Sequence, residues 1–100
     1  MDIRIQAVHF NPTDELLAVV EKKVQKLNQF YDRITTAEVT LKAERDEHKA
    51  GKTAEIELHI PGNTLFAANQ ADKFEAAAEL SVEAIRKQLI KHKEKVLHRS

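Results

Sequence analysis

The residues of this chain whose types and spacing best suit chemistry are lysines and arginines, and the chemistry is the holding of anions. From Ile85 to Ser100 the chain carries Arg86, Lys87, Lys91, Lys93, Lys95 and Arg99 against the single acid Glu94. The segment from Thr36 to Glu79 has the opposite balance, nine acids against five bases, although the whole chain is formally neutral with 16 of each. A neutral protein that gathers positive charge on one element presents it to an anion. Lys87, Lys91 and Lys95 recur at four-residue steps and fall nearly opposite the apolar positions Val82, Ile85, Leu89 and Val96 of a helix, with Arg86 and Lys93 on a flank. The stretch lacks the interleaved glutamates that usually pair lysines at i,i+4, so the repulsion among its like charges costs helix stability. Lys22, Lys23 and Lys26 form a second basic cluster. Two such helices side by side match the electrostatic footprint of a phosphate-backbone binder. A solvated lysine face is the alternative reading.

Other chemistries have less to stand on. With no cysteine, disulfides, zinc–thiolate sites and thiol catalysis are excluded. His9, His48, His59, His92 and His98 show no i,i+3 or i,i+4 pairing, so no metal site is expected. Glu55 and Glu57 read as a solubilising strand face. No glycine-rich phosphate loop and no nucleophile-elbow serine occurs, and neither catalysis nor a cofactor is expected. The aromatics Phe10, Phe30, Tyr31, Phe66 and Phe74 fall mostly on or near apolar stripes and read as core. No aromatic is expected on an open sheet face, which argues against a base-stacking platform. Basic side chains position a protein on phosphates without reading sequence, so the inferred partner is structured RNA recognised by shape and backbone.

The elements that position these residues follow from periodicity and punctuation. Asp2 to Phe10 alternates, with Ile3, Ile5 and Ala7 on one face, as a half-buried strand does. Asn11 or Thr13 caps a helix whose first turn holds Asp14 and Glu15 and whose stripe is Leu17, Val20, Val24, Leu27 and Tyr31. Ile34 to Arg45 is a second strand, turning Ala37, Val39, Leu41 and Ala43 inward. Asp46 to Lys52 is polar, contains Gly51, and reads as a loop or hairpin tip. Thr53 to Ile60 is a third strand. Ile60-Pro61-Gly62-Asn63 suits a type II turn into a fourth strand, Thr64 to about Asn69. Asp72 and Glu75 form a capping-box variant opening a last helix with the stripe Phe74, Ala77, Ala78, Val82, Ile85, Leu89 and Val96.

The order is therefore β-α-β-β-β-α. Each strand has one apolar face and each helix one apolar stripe, which predicts an α+β two-layer sandwich: a four-stranded sheet with both helices on one face. The helix between the first two strands predicts a parallel pairing by right-handed crossover. Arg4, Gln6, Glu38, Lys42, Glu55 and Glu57 are left on the open face. One hundred residues suit a single domain, residues 1–100. The N-terminus does not resemble a signal peptide and no apolar run reaches the roughly 20 residues of a membrane span, so a cytoplasmic protein is expected.

The run Gln88-Leu-Ile-Lys-His-Lys-Glu-Lys95, ending a helix that starts near Phe74-Glu-Ala-Ala, resembles the C-terminal helix of the ribosome hibernation-promoting factors, also called the ribosome-associated inhibitor A or sigma-54 modulation family. Ile3-Arg-Ile-Gln-Ala and Asn11-Pro-Thr-Asp-Glu-Leu-Leu are similar to that family's first strand and helix start. Lys26-Leu27, then Phe30-Tyr31-Asp32-Arg33-Ile34 leading into Ala37-Glu-Val-Thr-Leu, resembles its passage into the second strand. The resemblance covers essentially the whole chain. It implies the same element order, in a fold shaped like a double-stranded RNA-binding domain. It also implies binding to the small ribosomal subunit, to rRNA and neighbouring ribosomal proteins, in the mRNA and tRNA channel near the decoding region. Translation would be blocked there in stationary phase or stress.

The positions matching the family's rRNA-contacting helix are Arg86, Lys87, Lys91, Lys93 and Lys95, and Lys22, Lys23 and Lys26 match its basic patch on the first helix. Two positions depart from the family pattern. Lys73-Phe74-Glu75 stands where many members have Asp-Met-Tyr, and Ala84 occupies a commonly basic position. The end at Ser100 resembles the short forms, without the further domain that long forms use to pair ribosomes. A protein-interaction module docking on a regulator and a generic double-stranded RNA binder are the alternative functions.

Overall fold

The computed structural model describes residues 1–46 and 49–97. His48, His98 and Arg99 lie outside the described residues. The elements run β1 (Asp2–Val8), α1 (Asp14–Gln25), a 3-10 helical turn (Lys26–Gln29), β2 (Thr36–Asp46), β3 (Lys49–Ile60), β4 (Asn63–Ala71) and α2 (Phe74–Leu97). The strands form one sheet in the order β1-β2-β3-β4, parallel between β1 and β2 and antiparallel in the other two pairs. The two-layer α+β architecture expected from the pattern is the one observed.

Register explains the core. Ile5 lies beside Val39 across the parallel pair, Val39 opposite Ile56, and Ile56 opposite Ala67, so one row of apolar side chains crosses the sheet. Val20, Val24 and Leu27 from the first helical segment and Phe74, Ala77, Ala78, Ile85 and Leu89 from α2 cover that face and are buried. Each large side chain fully buried there contributes roughly 1.5–3 kcal/mol of transfer free energy. Phe10, just after β1, stacks on Phe74 with ring centroids 4.4 Å apart, holding the entry of α1 against the start of α2.

The ends of the elements follow local chemistry. Of the two candidate caps for α1, Thr13 serves: its Oγ1 accepts the Leu16 N–H at 3.1 Å. Gly62, with φ of 76°, supplies the left-handed position of the β3–β4 turn, as a type II turn requires. In α2 the first intrahelical bond runs from the Ala77 N–H to the Lys73 carbonyl, so the cap falls at Lys73, one residue beyond the expected Asp72.

Two expectations are corrected. The ladder between β2 and β3 continues to Asp46 opposite Lys49, so most of the segment read as a loop from Asp46 to Lys52 is strand. Antiparallel pairing needs only backbone groups, so a polar segment with little apolar alternation can still carry the ladder. Val96 is 52% exposed and does not belong to the buried stripe of α2, which ends at Leu89.

Two contacts that periodicity does not announce fix α2 on the sheet. Ser81, fully buried, donates its hydroxyl hydrogen to the Ala54 carbonyl at 2.7 Å and accepts from the Asn69 amide at 3.3 Å. The Gln88 side-chain amide donates to the Phe66 carbonyl at 2.8 Å, engaging the edge strand β4 from the helix. Among the described residues no helix is long and apolar enough to cross a membrane.

Candidate nucleic-acid interface

The basic helix end depends on how α2 is seated. Burial of Ile85 and Leu89 turns the opposite side of the helix to solvent, where Lys87, Lys91 and Lys95 are exposed; Lys93, four residues after Leu89, is exposed on the flank beside the 3-10 turn. At 1.5 Å per residue, Lys87 to Lys95 spans about 12 Å of helix. None of these four lysines forms an ion pair with a described residue. The last two turns of α2 continue past the core, which leaves the stripe accessible from several sides.

Arg86 and Lys23 are placed differently. Arg86 is half-buried, and its guanidinium forks onto the Glu83 carboxylate, with Nε at 3.0 and 3.1 Å from the two oxygens and a further contact from its terminal nitrogen. Hydrogen bonding to Arg86 holds the Glu83 carboxyl below its ordinary value, with Lys87 adding attraction, and the same bond raises Arg86. The Arg86 guanidinium also lies over the Phe30 ring, 5.6 Å from its centroid. Lys23 Nζ stands 2.5 Å from Glu79 Oε2 and ties α1 to α2. The lysine stripe is without acidic partners among the described residues, as expected, whereas Arg86 on the flank is paired with Glu83, just upstream of the basic stretch. Lys22 and Lys26 are exposed and unpaired among the described residues.

Sequence reasoning passed over Arg33, exposed in the segment leading to β2. It shares a cleft with Lys93 and with the 3-10 turn. Its signal was weak, a single arginine beside Asp32 with no periodic neighbour.

The open sheet face carries the opposite charge. Glu38 pairs in register with Glu57, a like-charge cross-strand pair that is unfavourable in itself. Arg4 at 3.9 Å and His59 at 3.4 Å flank Glu38, and Lys42 holds Glu55 at 3.1 Å. Glu38, Glu57 and His59 bring three possible ligand atoms within 4.8 Å, a grouping made by strand register and invisible to a search for helical spacing. The Arg4 guanidinium beside them opposes a cation. Phe66 is 54% exposed on this same face, correcting the expectation that no aromatic would stand there.

A sequence profile described as sigma 54 modulation protein / S30EA ribosomal protein matches residues 3–97. The chain is 33% identical over 99 residues to a ribosome hibernation promoting factor of Azotobacter vinelandii, covering 99% of this chain and 89% of that protein. It is 31% identical over 96 residues to the protein of the same name from Escherichia coli, covering 96% and 97%. A solved ribosomal subunit interface protein from Coxiella burnetii superposes with a TM-score of 0.82 at 20% identity, over 94% of this chain and 99% of that one. The likeness to that structure establishes the fold.

Proposed function

The chain belongs to the sigma 54 modulation protein / S30EA ribosomal protein family, and from that premise we propose that it is a ribosome hibernation factor. It binds the small ribosomal subunit at the mRNA and tRNA channel near the decoding region, and inhibits translation in stationary phase or stress. The observation that carries this reading is the set of exposed lysines at the end of α2, Lys87, Lys91 and Lys95 on its solvent side and Lys93 on the flank, none of them paired among the described residues. Lys22 and Lys26 extend it onto the first helical segment. Unpaired ammonium groups on a rigid element attract phosphates by releasing condensed counterions. The acidic sheet face turns RNA away, so the molecule approaches with α2 foremost.

The action is steric. A folded domain, residues 1–100, fills space that mRNA and tRNA would use, and no bond is made or broken. Its place of work is the cytoplasm, where ribosomes are. The names of the relatives from Azotobacter vinelandii and Escherichia coli support the reading.

The test is a charge reversal that leaves the core untouched. With Lys87→Glu, Lys91→Glu and Lys95→Glu combined, circular dichroism should be unchanged and co-sedimentation with small subunits should be lost. Undiminished co-sedimentation of the folded triple variant would remove α2 from the interface.

A further inference from the structure

Beside the lysine row the 3-10 turn and the last turns of α2 enclose a cleft of about 430 Å³, within the size range of small-molecule sites. Its walls combine four kinds of group. Phe30 and Tyr31 are half-buried aromatics, Asn28 and Gln29 bring exposed amides, Arg33 and Lys93 bring exposed cations, and Asp32 brings an exposed carboxylate between Tyr31 and Arg33. The exposed side chain of Val96 also lines it. Both rings are held in position: Arg86 lies over Phe30, and the His92 ring meets Tyr31 edge-on with centroids 5.8 Å apart.

We propose that this cleft takes a single unpaired nucleobase of RNA whose flanking phosphates are held by Lys93 and Arg33. The proposal rests on the RNA-binding reading of α2 and adds a contact that reading does not need. A nucleobase has a flat apolar face for an aromatic and Val96 to meet. Its polar edge suits the donors and acceptors of Asn28 and Gln29. A base also arrives with a phosphate on each side, which a basic rim attracts. An acidic or purely apolar peptide would satisfy only part of this lining. The unpaired base is therefore the occupant that matches the aromatics, amides and cations together, and its amino edge can donate to the Asp32 carboxylate.

Composition supplies the probe: Tyr31 is the only tyrosine and there is no tryptophan, so ultraviolet emission excited at tyrosine reports on this cleft alone. The intact protein would be titrated with a short single-stranded oligoadenylate and with an abasic ribose–phosphate oligomer of equal length. Affinity would be followed by anisotropy of a label on the oligomer. The expected result is quenching of Tyr31 by the oligoadenylate only, and affinity about tenfold higher than for the abasic oligomer, the size of one base–aromatic stack. Phe30→Leu, checked for folding by circular dichroism, should narrow that ratio toward unity. Equal affinity for the two oligomers, or a base preference without Tyr31 quenching, would overturn the cleft assignment while leaving the lysine row standing. Failure of both oligomers to bind would overturn the cleft assignment, while co-sedimentation with small subunits decides the lysine row separately.

Discussion

At the scale of single residues, an ion pair sets what a basic side chain is able to do. Arg86 and Lys87 are neighbours on α2, yet Arg86 is forked onto Glu83 while Lys87 is unpaired among the described residues. A phosphate recruiting Arg86 must compete with a carboxylate already in place. Glu83→Gln removes that competitor and leaves Arg86 stacked on Phe30. It should therefore raise small-subunit affinity a few-fold at low salt and steepen the salt dependence by up to about one contact's worth, as read by equilibrium binding over a salt series. The pair also has a pH window. The folded Glu83 carboxyl titrates below its ordinary value of 4.5. The pair's contribution to stability is thus complete above the unfolded value and is lost only as pH falls through the lowered one. An exposed pair contributes little in either case.

The same scale shows what was legible in the sequence of the site. The lysine row was, because its spacing is local and repeats every four residues. The partners of Arg86 and Lys23 were harder to see, since Glu83 lies outside the basic stretch and Glu79 reaches Lys23 only through helix packing. Glu38, Glu57 and His59 meet through strand register, and Arg33 joins Lys93 through the path of a turn. Contacts of that kind exist only once the chain has folded.

At the scale of elements, α2 has two parts with different duties. Up to Leu89 it is a core helix, and beyond Leu89 it is a support for cations. Ile85→Ala should cost about 2–5 kcal/mol in urea unfolding, because it empties a fully buried position. Val96→Ala should change stability by less than about 0.5 kcal/mol in the same measurement, as substitutions outside the core do. The apolar period continues through both parts, so periodicity alone places Val96 with Ile85. What separates them is that Ile85 packs into the core while Val96 lies beyond Leu89, the last buried position of α2, a tertiary fact. The β2–β3 ribbon makes the complementary case: apolar alternation reveals strand where it is present, and is silent between Asp46 and Lys52 although backbone pairing continues.

At the scale of the whole molecule, charge is sorted by place. The end of α2 holds Lys87, Lys91, Lys93 and Lys95, unpaired among the described residues, while the open sheet face carries Glu38, Glu55 and Glu57 against Arg4 and Lys42, so a chain of zero formal net charge still has an orientation. If the four lysines of α2 each neutralise one phosphate, the logarithm of the binding constant should fall with the logarithm of salt at a slope of about −3, measured by subunit binding over a salt series. A slope near zero would mean that the partner surface is protein.

The hydrogen bond from Gln88 to the Phe66 carbonyl has a consequence for timing. Gln88 sits one residue after Lys87 and three before Lys91, so the anchor to the edge of β4 lies within the lysine row itself. The backbone beneath those cations is ordered before any partner arrives, and little of its conformational freedom remains to be lost on contact. Encounter and capture can then follow in one diffusive step, with the association rate governed by long-range attraction.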